Sequence, residues 1–368
     1  MIRRRKLLKS LDRLMGGILV RLFCLRKNAP PPKPLSAIQT VLVIRPGGLG
    51  DAVLLIPMLR ALKARFPSAT IHALAERRNA EIFGWAPDLV TTVFCYDRGR
   101  DLMRLLTQRY DLVIDTEQWY RLSAVAARMI RAGLRCGFAT NERGRLFNIP
   151  VAYDRDRYEA ENFLAIVEAL TGKPAAFDPD KPFLKMPRSA TRAPITVLIA
   201  PGASYPEKQW GLEKFRHLAK WLVDRGHAVG LIGGPTDVGP AASIAEMLPL
   251  QNFVGRATLR ETARLIAEAG LVISGDSVAL HLAAALGTAS IALFGPTSPR
   301  QWAPRGHGRR TLYHPPHCSP CSRFGHIPPC PYDVDCLKHI TVEEVQGAAQ
   351  EIMTSGIRKP DDHSDKIA

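Results

Sequence analysis

The sequence lacks an apolar run long enough to cross a bilayer. Its most apolar stretch near the start, residues 14–25, is too short for a spanning helix and is interrupted by Arg21. No small-residue cleavage site follows this stretch, so an export signal is not indicated. The seven cysteines are an odd number, which in a chain without an export signal favours a reducing compartment over a disulfide-linked fold.

Two common nucleotide-binding signatures are also missing. The chain has no Walker A loop, and its glycine-rich turn at residues 47–50 reads Gly-Gly-Leu-Gly, which is not the dinucleotide fingerprint. A nicotinamide-dependent oxidoreductase is therefore disfavoured. Apart from the prolines at 30–34, the sequence contains no low-complexity tract and no short repeat.

Acidic residues are almost absent from the first 34 positions. These hold ten Lys and Arg against one acid, Asp12, and so carry +9 of the net charge of +16. Apolar residues recur there at helical spacing, which predicts an amphipathic helix lying on an anionic membrane surface. A helical extension without membrane contact is the alternative. Nucleic-acid binding is disfavoured because no aromatic platform accompanies the charge, and the prolines at 30–34 predict a stiff spacer.

The length of 368 residues and the hydrophobic content of 46% suit two domains, each with its own core. Strand-like apolar segments alternate with helical ones from Val41 to about Phe138, and the pattern restarts at Ile195. Such alternation predicts two doubly wound parallel sheets covered by helices. The predicted segments are an N-terminal extension at 1–34, domains at 35–185 and 186–355, and a disordered tail at 356–368.

The clearest strand–turn–helix unit is the stretch from Val41 to Phe66. Four apolar residues lead to Arg45, a glycine-rich turn follows, and Asp51 precedes a helix with apolar positions at 3.6-residue spacing. Ligands of parallel sheets bind outside the carboxyl ends of the strands, so Asp51 lies at the edge of a predicted site. The alternative is that Asp51 only caps the helix. Glu117, after a later strand, could line the same crevice or simply pack.

Three turns of the second domain predict a phosphate-binding rim. They are the loop 201–208 with Ser204 and Lys208, the turn Gly275-Asp276-Ser277 before a helix, and the turn 295–298 with Thr297. A lysine together with the free amides of a helix start suits a diphosphate. Each turn taken alone could be an ordinary strand–helix connection, and His281 on the following helix could be a core residue.

Four motifs follow one another in a fixed order along the chain. They are Arg45-Pro-Gly-Gly-Leu-Gly-Asp51, Pro201-Gly202 with Lys208-Gln-Trp210, Gly275-Asp276-Ser277 through His281, and Leu293-Phe-Gly-Pro-Thr297. Together they resemble the signatures of glycosyltransferase family 9, the lipopolysaccharide heptosyltransferases and their relatives, over about residues 41–345. One departure is Val278, which stands where the family commonly has the glycine of Asp-Thr-Gly.

The resemblance implies an α/β fold of GT-B type, with two Rossmann-like doubly wound domains facing across a cleft. It implies an inverting, metal-independent transfer of a heptose or related sugar, with Asp51 as general base and Gly48 and Gly50 in the acceptor-side loop. The donor-binding residues that it implies are Ser204, Lys208, Gly275, Asp276, Ser277, His281 and Thr297.

The substrates implied by the resemblance are an ADP- or other nucleotide-linked sugar and a lipid-linked glycan such as the lipopolysaccharide core. With the basic helix, this predicts a cytoplasmic enzyme peripheral to the inner face of the membrane. The alternative is a catalytically inactive nucleotide-binding protein with the same fold, since fold alone does not establish activity.

Four cysteines lie close together in a loop at residues 314–336. They are Cys318, Cys321, Cys330 and Cys336, with His314, His317 and His326 nearby. A CxxC pair followed by two further thiols can bind a structural zinc and so fold a loop that is poor in apolar residues. Unmetallated buried thiols, disulfides and a redox role are the alternatives, and a catalytic metal is not expected.

Overall fold

A computed structural model describes residues 2–25, 34–187 and 195–355, with side chains from residue 10 onward. The chain divides into two compact units, Met1–Phe177 and Asp178–Ala368. The sequence placed this boundary at 185. Most of the predicted proline spacer and the tail predicted to be disordered, residues 356–368, lie outside the described residues.

Unit 1 is built on a six-stranded parallel sheet. Its strands are β1 (Thr40–Arg45), β2 (Thr70–Ala75), β3 (Thr92–Cys95), β4 (Arg109–Asp115), β5 (Arg131–Phe138) and β6 (Ile149–Val151). Its helices are α1 (Ile2–Cys24), α2 (Leu49–Leu54), α3 (Ile56–Arg65), α4 (Arg77–Phe83), α5 (Gly99–Thr107), α6 (Arg121–Met129) and α7 (Glu159–Thr171). The strand order is β3-β2-β1-β4-β5-β6.

Unit 2 repeats this architecture. Its strands are β7 (Val197–Ala200), β8 (Val229–Leu231), β9 (Gln251–Asn252), β10 (Leu271–Gly275), β11 (Ala289–Phe294) and β12 (Arg309–Tyr313). Its helices are α8 (Leu212–Asp224), α9 (Val238–Ala245), α10 (Leu259–Glu268), α11 (Val278–Leu286), α12 (Pro299–Trp302), α13 (Asp335–Lys338) and α14 (Val342–Thr354). The strand order is β12-β11-β10-β7-β8-β9, the same relative order as in unit 1.

Both sheets therefore have the Rossmann strand order, in which the first and fourth strands are neighbours. The chain direction reverses at that point, and the crevice outside the carboxyl ends of these two strands is where such folds bind ligands. In unit 1 this is the end of β1 and β4, and in unit 2 the end of β7 and β10. The predicted fold class of two doubly wound α/β units is confirmed. The edge strands β6, β9 and β12 were missed, because their burial is mixed and they lack a continuous apolar run.

The helix predicted after the Asp51 turn is two helices, α2 and α3. Pro57 lies in the first turn of α3, where its missing N–H costs no hydrogen bond, but its ring cannot continue a helix that began earlier. The helix is therefore interrupted at Leu55, which separates α2 from α3. In unit 2 the Thr258 hydroxyl caps α10, since it accepts a hydrogen bond from the Glu261 N–H.

The N-terminal helix α1 packs against α6 of unit 1. Asp12, 2% exposed, accepts a hydrogen bond from the Leu122 N–H at 2.7 Å and so caps the start of α6. Gly16 lets the helices approach closely, because a Cβ there would lie 3.1 Å from Arg121 Cβ. No helix in the described part of the chain is long and apolar enough to cross a membrane.

From residue 10 onward, where side chains are described, the apolar residues of α1 and the residue after it fall on two faces, which corrects the single apolar side that the sequence pattern predicted. Val20, with Leu19 and Phe23, joins the core of unit 1. The other face is an outer stripe of exposed residues: Leu14, Met15, Ile18, Leu22 and Leu25. The inner face packs onto unit 1, so among the described apolar side chains of α1 the outer stripe remains free to contact another surface.

Candidate functional site

Asp51 lies in the first turn of α2, at the end of β1. The N-cap residue of this helix is Gly48, and no side chain caps it, so the interpretation of Asp51 as a mere cap is wrong. Its Oδ1 lies 3.3 Å from Arg45 Nη2 and accepts a hydrogen bond from Gln118 Nε2 at 3.0 Å. The side chain is 17% exposed, so the carboxylate is anchored and still reachable.

Arg45 is the cation of this site, and it is 3% exposed. One arm of its guanidinium donates to the Thr116 carbonyl at 2.7 Å, and the other donates to Gln118 Oε1 at 3.2 Å. Burial disfavours its charge, but the carboxylates of Asp51, Glu117 and Glu159 outweigh that cost and raise the pKa of Arg45. Arg45 is therefore a permanent positive charge shared by several acids.

The end of β4 supplies the second wall of this site. Asp115 forms a fully buried ion pair with Arg143 at 2.7 Å, which fixes the strand end. Glu117 is 5% exposed, and burial raises the pKa of its carboxyl although Arg45 and Arg143 oppose the shift. Its Oε1 accepts from the Trp119 N–H at 3.1 Å, so Glu117 shapes the loop after β4 rather than facing solvent.

Sequence reasoning missed several members of the unit 1 cluster. Arg45 was part of a recognised motif, but the sequence assigned no role to it. Gln118 follows β4, where the sequence indicated Glu117 instead. Glu159 at the start of α7 and Tyr153 before it carried no sequence signal, because a lone acid at a helix start is common. Gly48 is the N-cap residue of α2 and Gly50 lies in its first turn, and their place in an acceptor-side loop stays a prediction.

In unit 2, Lys208 and Asp276 form an ion pair. Lys208 Nζ lies 2.5 Å from Asp276 Oδ2 and also donates to the Asp276 carbonyl at 3.2 Å. The two side chains are 13% and 10% exposed. The residues are 68 positions apart in sequence, and the pair forms because β7 and β10 are neighbours. The loop after β7 is thus fixed to the turn after β10.

The turn after β10 contains the predicted helix start. Ser277 caps α11, since its hydroxyl accepts from the Ala279 N–H at 3.2 Å and contacts the Ser274 hydroxyl at 2.8 Å. Gly275 permits the close approach of the preceding loop, because a Cβ would lie 3.3 Å from the Lys208 carbonyl oxygen. Ser277 therefore keeps the hydroxyl that the family motif has at this position, although Val278 replaces the glycine.

Two more predicted residues surround the Asp276 carboxylate. His281 Nε2 lies 3.9 Å from Asp276 Oδ1, and Thr297 follows β11. Burial alone would raise the pKa of Asp276, but Lys208, His281 and the Thr297 hydroxyl together lower it. Asp276 is therefore a carboxylate at neutral pH. Ser204 is exposed in the loop after β7.

The Cys-rich loop 314–336 supports the turn after β11. The Ser319 hydroxyl donates to the Gly295 carbonyl at 2.5 Å, and the Ser322 N–H donates to the Pro296 carbonyl at 2.8 Å. A Cβ on Gly295 would lie 3.0 Å from Cys336 Sγ, so only glycine fits there without movement. The loop is thus part of the framework behind Thr297.

The four thiols of this loop are free. Burial, helped by the neighbouring thiols of Cys330, Cys321 and Cys318, raises the pKa of Cys336 to about 11. Within the described ranges, no group of three or more His, Cys, Asp or Glu side chains is arranged to hold a metal ion. His314 instead contacts Glu344 at 2.8 Å. The structural zinc therefore stays a prediction.

Comparison with known proteins identifies the family. The model of glycosyltransferase family 9 (heptosyltransferase) matches residues 100–328. The chain belongs to glycosyltransferase family 9. It is accordingly a glycosyltransferase, and the resemblance drawn from the motifs is confirmed.

Relatives of this family 9 protein carry heptosyltransferase names. Lipooligosaccharide heptosyltransferase 2 of Haemophilus influenzae is 26% identical, over 72% of this chain and 86% of its own length. The structure of E. coli ADP-heptose LPS heptosyltransferase II matches with a TM-score of 0.70 at 23% identity, covering 86% of this chain and 99% of that one. An E. coli heptosyltransferase solved with ADP-2-deoxy-2-fluoro heptose matches with a TM-score of 0.69 at 20% identity. This match covers 86% of this chain and 100% of that one. These structures share the two-domain GT-B fold.

Proposed function

We propose that this family 9 enzyme transfers a heptose, or a related sugar, from an ADP- or other nucleotide-linked donor to the lipopolysaccharide core or a similar lipid-linked glycan. The transfer inverts the anomeric centre and needs no metal. The observation that carries the proposal is the Lys208–Asp276 pair beside the start of α11 in unit 2, matched by an anchored, reachable carboxylate, Asp51, in unit 1. The names and ligands of the relatives support the choice of heptose and ADP.

Asp51 acts as the general base in this mechanism. It takes the proton of the acceptor hydroxyl while that oxygen forms a bond to the anomeric carbon of the donor. The bond from this carbon to the diphosphate oxygen breaks on the opposite face, and its electron pair leaves with the nucleoside diphosphate. A single displacement of this kind inverts the configuration at the carbon.

Lys208 and the start of α11 stabilise the departing diphosphate. An ammonium group has three N–H donors. Among the described residues, Lys208 gives two of them to the carboxylate and carbonyl of Asp276, which leaves one for a phosphate oxygen. The first N–H groups of α11 and its helix dipole add partial positive charge. Asp276 orients the lysine, and no metal is required for this charge stabilisation.

We place the enzyme on the cytoplasmic face of the membrane, bound to anionic lipid through α1. At 3.6 residues per turn the outer stripe occupies an arc of about 100°. The only acid among the first 34 residues, Asp12, is turned inward onto α6. The outward side of the helix therefore offers apolar and basic groups without an opposing carboxylate, which suits an interfacial helix on an anionic surface.

The donor specificity can be tested by thermal unfolding and by transfer. ADP-heptose should raise Tm, because a ligand at about a hundred times its Kd stabilises the native state by ~2.7 kcal/mol. UDP-glucose and GDP-mannose at equal concentration serve as controls and should shift Tm less. Transfer to a heptose-deficient lipopolysaccharide acceptor should proceed in excess EDTA. Binding of ADP-heptose without transfer or hydrolysis would instead favour the inactive nucleotide-binding protein.

The membrane proposal predicts that polar residues on the outer stripe weaken lipid binding. The triple variant Leu14→Ser, Ile18→Ser and Leu22→Ser should bind phosphatidylglycerol vesicles at least about tenfold more weakly, because each side chain loses the apolar area that it would bury. Flotation with anionic and with phosphatidylcholine vesicles, at low and high salt, measures the effect.

The matched control removes exposed apolar side chains elsewhere. Met103→Ser with Met247→Ser alters residues that are 67% and 94% exposed, and it should leave vesicle binding unchanged. If the triple variant floats with anionic vesicles as well as the unaltered protein, then α1 is only a structural extension of unit 1.

A further inference from the structure

Within the described ranges, one oxygen holds the side chain of Asp51. Both of its described polar contacts, to Arg45 Nη2 and Gln118 Nε2, are made by Oδ1. Its Oδ2 lies over Gly48, where a Cβ would come within 1.6 Å of this oxygen. The missing side chain at Gly48 therefore gives Oδ2 its place, while Oδ1 serves as the anchor.

Gln118 is the donor to that anchor, and its own orientation is fully determined. Its amide nitrogen has two N–H groups, and these point at Asp51 Oδ1 at 3.0 Å and Glu159 Oε1 at 2.7 Å. Its amide oxygen accepts from Arg45 Nη2 at 3.2 Å. A flipped amide would face two carboxylates with its oxygen and the guanidinium with its N–H groups, so only one orientation is compatible with these neighbours.

Glu159 is fixed in turn by Tyr153. The Tyr153 hydroxyl donates to Glu159 Oε2 at 2.6 Å. Burial and the neighbouring Glu159 carboxylate raise the pKa of Tyr153, so the phenol keeps the proton that it donates. Glu159 is completely buried at the first residue of α7, where the helix dipole favours a negative charge. This gives a chain of hydrogen bonds from Tyr153 through Glu159 and Gln118 to Asp51.

We propose that Gln118, oriented by Glu159 and Tyr153, is a positioning residue that holds Asp51 by Oδ1 and so presents Oδ2 to the acceptor hydroxyl. The inference rests on the proposed function, in which Asp51 is the base. A base must lie within hydrogen-bond reach of the proton that it removes, and a displacement of about 1 Å can cost on the order of 10²-fold in rate. The chain of hydrogen bonds from Tyr153 to Asp51 fixes the position of the Asp51 carboxylate before the acceptor binds.

The test is a double-mutant cycle on the full-length enzyme. Gln118→Leu should lower kcat by about 10²-fold and leave the donor KM unchanged, because the donor residues belong to unit 2. In the Asp51→Asn background the same substitution should cause no further loss in kcat. Steady-state kinetics of the two single variants and the double variant measure this, and Gln108→Leu is the control. Gln108 likewise makes a side-chain hydrogen bond, accepting from the Tyr110 hydroxyl at 2.8 Å, but it lies at the amino end of β4.

Tyr153→Phe keeps the inference testable if Gln118→Leu does not fold. It removes one hydroxyl and should lower kcat about threefold to tenfold, with no effect in the Asp51→Asn background. Additive losses in that background, or a kcat within twofold of the unaltered enzyme for both variants, would overturn the positioning role while Asp51 remains the base. Full activity of Asp51→Asn would instead overturn the proposed base itself.

Discussion

Asp51→Asn should lower kcat for sugar transfer by about 10³-fold, within the range expected for the loss of a general base. The asparagine amide has the shape of the carboxylate, so Arg45 and Gln118 keep an oxygen to bind, but the amide cannot accept a proton from the acceptor. The donor-induced rise in Tm should be unchanged. Steady-state transfer kinetics and thermal unfolding of the same preparations measure both quantities.

The control for this variant is Asp88→Asn in the same unit. Asp88 is an exposed acid, 3.7 Å from Arg60, and its loss should change neither kcat nor Tm appreciably. Near-normal transfer by Asp51→Asn would show that another group takes the proton. In that case the anchored carboxylate at the end of β1 would have only a structural role.

Lys208→Met should weaken donor binding by about 10- to 10²-fold, because it removes a charge-assisted hydrogen bond to the diphosphate. It should also destabilise the fold by roughly 3–5 kcal/mol, since the Asp276 carboxylate is left largely buried without its cation. Calorimetric titration with ADP and denaturant unfolding measure the two effects. The difficulty is that a destabilised protein can also bind its ligand poorly.

A second variant separates the two effects of Lys208. In Lys208→Met with Asp276→Asn the unpaired charge is gone, so stability should largely recover while donor binding stays weak. Lys220→Met with Asp224→Asn is the control, because this pair lies on α8 with both side chains more than half exposed and contributes little. Recovery of donor affinity in the Lys208 double variant would contradict the phosphate contact.

The pH dependence of stability follows from the same pair. The pKa of Asp276 is lowered in the folded protein from its ordinary value of 3.8. The carboxylate therefore stabilises the fold above that pH, and this contribution is lost as the pH falls through and below it. In this acid range the stability of the unaltered enzyme should fall more than that of the Lys208→Met, Asp276→Asn variant, which lacks this carboxylate. Unfolding curves at pH 7 and pH 3 measure the difference.

The motifs predicted the architecture because strand and turn signals are local. Apolar runs that lead into glycine-containing turns marked β1, β7, β10 and β11, and their repetition predicted two parallel sheets. Alternating βα units permit few topologies, so the fold class followed from the order of elements. The edge strands β6 and β9 escaped detection because two or three residues carry no such pattern, and β12 escaped it because its five residues include no fully buried apolar run.

The sequence by itself determined the α/β class, the family, the turns that carry Asp51 and Asp276, and the basic character of the N-terminal helix. Each of these depends on residues close together along the chain. Only the tertiary structure decided which side chains meet. Gln118 lies 67 positions from Asp51 and Lys208 lies 68 positions from Asp276.

The tertiary structure also decided which face of α1 stays exposed, because Val20 and its neighbours are covered by α6 and the outer stripe is not. Periodicity gives the angle of a residue around its own helix axis, but it does not say which neighbour will pack there. Hydrogen bonds between distant segments depend in the same way on the order of the strands. That order brings the ends of β1 and β4 together, and with them Asp51, the proposed base, and Gln118, which donates to it.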